Sequence, residues 1–267
     1  MKQTRPPGPV VVGIDGSSSA LHAAVWAVDE AASREVTLRL IHVIQSTSPD
    51  IRRETSDGEA ALRAAHAAVT RTGQPVRIDT AIARGQIAAA LVAESAGAGL
   101  ICVGSAGIRR RAPRLRGAIA AEVAQSATCP VAIIHTQGTA ASSESDDIAV
   151  VIDDASGLGA ALQVALDEAR LRNATLLILT LAQSPIGEIA SADLDGRVAD
   201  WLGRYPDVQT HTLVVSDDLP TFLAAHDPPV QLTVMGDVGG EDVARMLSPY
   251  GRYLLHDTEC SVLLVPS

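Results

Sequence analysis

Gly104-Ser105-Ala106-Gly107 is followed by nine residues and then by Gly117-Ala118, where a helical pattern opens. Glycines let a backbone come close to a phosphate. The N–H groups of such a loop, and of the helix N-terminus after it, can cradle an anion. Arg109, Arg110, Arg111, Arg114 and Arg116 lie between the two ends and offer donors suited to phosphate. Asp15 follows an apolar run at Val10–Ile14 and precedes Gly16 and three serines. Together these residues can bind an anion or a nucleotide. Each also has a plainer reading. A two-glycine loop is a weak signal, and an Arg run is commonly a solvated face. Asp15 and Ser17–Ser19 fit helix capping, and Gly13 fits close strand packing.

Other chemistries find little support. Lys2 is the only lysine, so a Walker A loop, a kinase strand lysine and Schiff-base chemistry have no suitable residue. There is no G-x-S-x-G elbow, and Ser105 has no evident His partner. His42 reads as a satisfied strand-end histidine rather than a base. His256 and Cys260 have the spacing of a metal pair, but no second pair accompanies them. Cys102, Cys129 and Cys260 form no CxxC and read as structural thiols in a reducing compartment. The N-terminal residues show no apolar signal region, and no apolar run reaches the roughly 18 residues of a membrane span. The expectation is a cytoplasmic protein with no membrane partner.

Composition narrows the class further. The chain has 267 residues, enough for two domains, with 47% hydrophobic and 19% charged residues. Aromatics are 2%, so the core is aliphatic and little is left for base stacking. With a net charge of −10, this argues against nucleic acid as a partner. The charge is uneven. Residues 1–143 carry 15 Lys+Arg against 11 Asp+Glu, and residues 144–267 carry 6 against 20. The first half suits an anionic ligand better.

The elements that must position these residues come in two copies. Residues 12–43 align with 150–181 at an offset of 138, with 12 identities and no gap. Gly104-Ser105-Ala106-Gly107 aligns with Gly236-Asp237-Val238-Gly239, and Cys129-Pro130-Val131 with Cys260-Ser261-Val262. The expected domains are 1–136 and 148–267, joined by a polar linker at 137–147. In the first copy, strands are expected at Val10–Ile14, Leu38–Val43, Val76–Ile82, Leu100–Val103 and Val131–Ile134. Helices are expected at Ala20–Ser33, Glu59–Arg71, Gln86–Ala96 and Gly117–Ala127. The second copy repeats the scheme with strands at Ala149–Ile152, Leu176–Leu181, Gln209–Val214, Leu232–Met235 and Val262–Val265. Alternation of this kind builds a mostly parallel sheet with helices on both faces. Ligands bind such a sheet beyond the carboxyl ends of its strands, where the strand order reverses. That rule selects the segments Gly13–Ser17 and Gly104–Gly117.

The chain resembles the universal stress protein family in its tandem two-domain form. The resemblance rests on VVVGIDGS at Val10–Ser17, on Gly104, Gly107 and Gly117 in a G-x2-G-x9-G pattern, and on CPVAIIH at Cys129–His135. It covers essentially the whole chain and is weaker in the second copy. It implies two tandem doubly wound five-stranded parallel sheets, each in the order 3-2-1-4-5, of the adenine-nucleotide alpha-hydrolase type. It also implies pairing of domains through their last strands, and a homodimer. ATP-binding members carry G-x2-G-x9-G-[ST]. Carried over, Asp15 lies by the adenosine and Val43 by the adenine. Gly104, Ser105, Gly107 and Gly117 cradle the ribose and phosphates. Gly13, Ile14, Ala106, Arg109, Arg110, Ala118 and Ile119 complete the expected set, with ATP, accompanied by Mg2+, as the ligand. Ala118 departs from the pattern, which wants a hydroxyl there; one such contact is worth about 1 kcal/mol. In the second copy Ser248-Pro249 replaces Gly117-Ala118, and Pro offers no N–H. Asp237, Glu241 and Asp242 would repel phosphate, so no ATP is expected there. The expected function is a stress-response regulator whose N-terminal domain binds ATP or a related adenine nucleotide and signals to an unidentified protein partner. A nucleotide-free interaction protein is the alternative. A slow ATPase ranks last, because only Asp15 offers a carboxylate for Mg2+ and no base is evident.

Overall fold

The computed structural model describes residues 8–46, 50–105, 118–135, 147–152, 158–181, 191–216, 219–236 and 260–266. The chain divides into two compact units, Met1–Thr136 and Gln137–Ser267. In the first, strands β1 (Val10–Gly13), β2 (Leu38–Gln45), β3 (Ile78–Gly85), β4 (Leu100–Gly104) and β5 (Val131–Ile134) alternate with helices α1 (Ser18–Ser33), α2 (Ile51–Thr70), α3 (Ile87–Ser95) and α4 (Ala118–Ser126). The sheet order is β3-β2-β1-β4-β5 and every pairing is parallel. This is the expected 3-2-1-4-5. In the second unit, β6 (Asp147–Ile152), β7 (Leu176–Leu181), β8 (Thr210–Val215), β9 (Val230–Gly236) and β10 (Ser261–Val265) repeat it as β8-β7-β6-β9-β10. These pairings are parallel too. Helices α5 (Leu158–Arg172), α6 (Ser191–Leu202) and α7 (Leu219–Ala225) belong to this unit.

The central strands explain the sequence pattern. Val10, Val11 and Val12 are fully buried, as are Leu100, Ile101 and Cys102 on the neighbouring strand. A strand covered on both faces needs an unbroken apolar run rather than alternation. The edge strand β3 carries only half-buried and exposed residues. It is tied in by Arg39 of β2, whose guanidinium bonds Glu94 of α3 at 3.1 Å and pairs with Asp79 of β3. In the second unit, Arg170 of α5 holds Asp207 through two bonds of 2.7 and 2.5 Å, and Tyr205 Oη donates to Asp167 at 2.8 Å. These bonds fasten the segment before β8 to α5.

One helix boundary differs from the sequence reading by more than two residues. α2 begins at Ile51, not Glu59. Its first two turns are largely exposed and show no apolar stripe to read. They are secured locally: Asp50 Oδ1 accepts from the Arg53 N–H at 3.0 Å, and Thr55 Oγ1 donates to the Ile51 carbonyl. Gly58, which looks like a helix boundary in the sequence, lies inside the helix.

The repeat extends to the helix exits. Glu35 after α1 and Asn173 after α5 both have φ of 53°. In each, a backbone N–H reaches back over the last turn, from Val36 to Ala31 and from Ala174 to Ala169. This left-handed exit suits Asn and disfavours Glu. Glu35→Asn is therefore expected to stabilise the chain by about 0.5–1 kcal/mol. Asn173→Glu should cost a similar amount, and urea titrations of both variants check the pair.

Candidate functional site

The site begins where β1 leaves the sheet. The Ile14 N–H still bonds the Ile41 carbonyl of β2 at 2.8 Å. Asp15 then turns the chain: its Oδ1 accepts the Ser17 N–H at 2.9 Å. Gly16 takes φ of 84°, which favours glycine. Ser17 caps α1, its Oγ accepting from the Ala20 N–H at 3.1 Å and lying 3.0 Å from Ser19 Oγ. The capping reading thus holds for Ser17, and Asp15 secures the same turn. Asp15 remains half-buried, with one side of its turn at the strand ends.

Gly104 ends β4 beside it. Val12 of β1 is level with Cys102 of β4, so Gly104 emerges level with Ile14. A Cβ on Gly104 would stand 2.7 Å from the Ser19 carbonyl carbon, 2.8 Å from the Ala20 nitrogen and 2.8 Å from Ser19 Oγ. The missing side chain therefore admits the first turn of α1, a packing reason rather than a ligand reason. The Ser105 N–H is also engaged, donating to the Ile134 carbonyl at 2.9 Å. What Ser105 can offer a ligand is its hydroxyl. Gly13 is less constrained, because a Cβ there would meet only the side chains of Leu91 at 3.3 Å and Val103 at 3.6 Å.

Val43 lies near the end of β2, half-buried and paired with Ala83 of β3. Ala118 is the first residue of α4, and Ile119 in the same turn is exposed. Ala106, Gly107, Arg109, Arg110 and Gly117 lie outside the described residues, as do Asp153, Asp237 and Ser248-Pro249 of the second unit. The structure thus brings Gly13, Ile14, Asp15, Gly104 and Ser105 together at the carboxyl ends of β1 and β4, with Val43 on the adjacent strand. Among the described residues, no group of three or more His, Cys, Asp or Glu is placed to hold a metal ion. None of the helices described is long and apolar enough to cross a membrane. An open groove of about 420 Å³ between α2 and β3 is lined by Leu62, Arg63, His66, Thr80 and Ile82 among others. It contains none of the candidate residues.

Three contacts at the site escape a reading of the sequence. Ser19 is buried and receives Gly104. His42 Nδ1 lies 2.7 Å from the Ile14 carbonyl oxygen, which can only accept, so the ring proton is on Nδ1. Gly58 of α2 packs on the same imidazole. The sequence reading of His42 as a satisfied strand-end histidine agrees with this bond, while its partners, Ile14 and Gly58, were not legible.

The cysteines are structural, as their positions suggested. All three are buried and none is in a disulfide. Burial pushes the Cys129 thiol up to about 11 and the Cys260 thiol up to about 12. Cys260 Sγ also lies 3.2 Å from Thr233 Oγ1. Both groups are held in the neutral, unreactive form. Native protein at pH 8 is expected to resist iodoacetamide at all three positions, with full labelling in denaturant; mass spectrometry counts the labels.

A parallel sheet in the order 3-2-1-4-5, with an Asp turn and a Gly-ended strand meeting at its centre, defines a doubly wound α/β fold. A model of the universal stress protein family matches residues 8–135. The chain is 41% identical over 259 residues to Universal stress protein Rv2624c of Mycobacterium tuberculosis, covering 96% of this chain and 95% of that relative. It is 36% identical to Universal stress protein Rv3134c of the same organism, covering 100% and 99%. In fold it is similar to a crystal structure of a universal stress protein from Archaeoglobus fulgidus, with a TM-score of 0.73 and 17% identity over 97% of this chain and 96% of that one. The chain belongs to the universal stress protein family, a family of stress-response proteins.

Proposed function

We propose that the first unit binds ATP, or a related adenine nucleotide, at the carboxyl ends of β1, β2 and β4 and acts as a regulatory binding module. The observation that carries this reading is the meeting of the Asp15 turn and the Gly104-Ser105 segment at the carboxyl ends of β1 and β4. This is where the strand order reverses, the position at which such sheets take ligands. Asp15 and Val43 would face the adenosine, and Ser105 Oγ, Arg109 and Arg110 the phosphates. Any Mg2+ would find its carboxylate in Asp15. Occupancy would change the surface formed by the Gly104–Gly117 segment, which a protein partner or a second copy of the chain would read. The second unit, with Pro249 and Asp237 in place of phosphate donors, serves as a structural partner without nucleotide.

A nucleotide-free interaction protein is the competing reading. It is favoured by Ala118, which lacks the hydroxyl, and by the structural employment of Asp15, Gly104 and the Ser105 N–H. Isothermal titration of ATP into nucleotide-stripped full-length protein separates the two. Binding near one ATP per chain, weakened by Arg109→Ala/Arg110→Ala, supports the nucleotide reading. Two per chain assigns a site to the second unit, and none at millimolar ATP supports the interaction protein. If ATP binds, Ala118→Ser is expected to tighten it about fivefold, the worth of one added hydrogen bond. The same titration reads that gain.

A further inference from the structure

We propose that His42 is a positioning residue for the first-unit site: it fixes the Ile14–Asp15 peptide from β2, and α2 holds it in place through Gly58. The ATP part of this inference rests on the nucleotide reading above. The geometric part does not.

Ile14 is the last residue before the Asp15 turn, and β2 holds both of its backbone polar groups. Its N–H goes to the Ile41 carbonyl at 2.8 Å, and its carbonyl accepts from His42 Nδ1 at 2.7 Å. The first bond belongs to the strand ladder. The second is made by a side chain where β1 has already ended at Gly13. A peptide group is planar, so fixing the Ile14 carbonyl also fixes the direction of the Asp15 N–H. Asp15 in turn holds the Ser17 N–H at 2.9 Å, and Ser17 caps α1. The aim of the Asp15 carboxylate therefore traces back to the His42 imidazole.

The imidazole is itself confined. A Cβ on Gly58 would stand 2.8 Å from His42 Nε2 and overlap Cδ2. Glycine is among the least favourable residues inside a helix, and here it sits at the point where α2 meets the ring. Side chains alternate across a strand, so His42 works on one face of β2 while its neighbour Val43 is left for the other. The end of β2 thus serves the site twice, through a positioning group and through the residue proposed to lie by the adenine.

The test uses full-length protein with His42→Ala, His42→Asn and Gly58→Ala. Asn places an amide N–H close to where Nδ1 stands, so it is the conservative rescue. Long-range ¹H–¹⁵N spectra of the wild type should show His42 as the Nδ1–H tautomer. Hydrogen exchange by mass spectrometry should show segment 14–17 opening about tenfold faster in His42→Ala and Gly58→Ala, with β1 and α1 peptides little changed. Asn should restore exchange to within about twofold of the wild type. ATP affinity should fall about tenfold in His42→Ala and Gly58→Ala and return in His42→Asn. Uniform acceleration across the unit, or an Asn variant no better than Ala, overturns the proposal. A wild type that binds no ATP overturns the nucleotide reading alone, since the tautomer and the exchange pattern still decide the role of His42.

Discussion

Gly104→Ala is expected to destabilise the chain by about 3 kcal/mol, near the top of the range for overpacking a well-filled site. The added carbon would meet backbone at 2.7 and 2.8 Å besides Ser19 Oγ, and backbone cannot rotate away. Relief requires α1 to move off β4, and α1 carries the Ser17 cap and much of the unit's core: Ala20, Ala23, Ala24 and Ala27 are all buried. Gly13→Ala supplies the contrast. Its Cβ would meet Leu91 Cδ1 at 3.3 Å, and a leucine methyl yields by a small rotamer shift, so the cost should stay below about 1 kcal/mol. Urea unfolding of both variants checks the ranking, and equal losses would sink it. The result bears on function as well. A charged residue at 104 would be a poor control for nucleotide binding, because it would remove the α1 docking along with any ligand. The Arg109/Arg110 variant keeps Gly104 itself.

The same glycine shows what was legible in the sequence and what was not. The strands were readable because β1, β4 and β5 bury both faces and so spell continuous Val, Ile, Leu and Cys. The order 3-2-1-4-5 was not in the periodicity; it came with the family resemblance, and the sheet pairings bear it out. The Asp15-Gly16-Ser17 turn was readable because its hydrogen bonds span two or three residues. Gly104 was singled out for phosphate approach, while the structure shows it packed against Ser19, 85 positions earlier. The start of α2 was lost for a related reason. Its first turns bury almost nothing, and their one telling residue, Gly58, is explained only by His42, which the chain brings from another element. Local chemistry was visible, whereas close approaches between distant segments were not. The Gly107–Gly117 stretch lies outside the described residues, so that part of the site still stands on the sequence alone.

Arg172→Met is expected to cost about 3 kcal/mol, more than the same change at Arg34. Each unit buries a carboxylate on its first helix and pairs it one turn on. Glu30 meets Arg34 at 2.7 Å and Glu168 meets Arg172 at 3.1 Å, both at i,i+4. The pairs are related by the 138-residue offset of the repeat. Glu placed N-terminal to its basic partner is the favourable orientation on a helix. Glu30 and Glu168 are equally hidden, at 0% and 2% side-chain exposure, but Arg34 is 31% exposed and Arg172 only 10%. Removing a partner from a buried ion pair costs about 3–5 kcal/mol when the remaining charge cannot be solvated. Around Arg172 little water can enter, so most of that cost should appear. Around Arg34 the vacated space opens to solvent, and about 1–2 kcal/mol is expected. Glu168→Gln/Arg172→Met should recover much of the loss, because no buried charge then remains without its ion partner. Urea titrations of the two single variants and the double variant complete the comparison. Equal losses at 34 and 172 would show that solvent access does not set the cost. Failure of the double variant to recover would show that Arg172 stabilises through its packed stem rather than its charge. Either way the measurement bears on why the repeat carries this pair twice while Gly117-Ala118 of the first copy gives way to Ser248-Pro249 in the second.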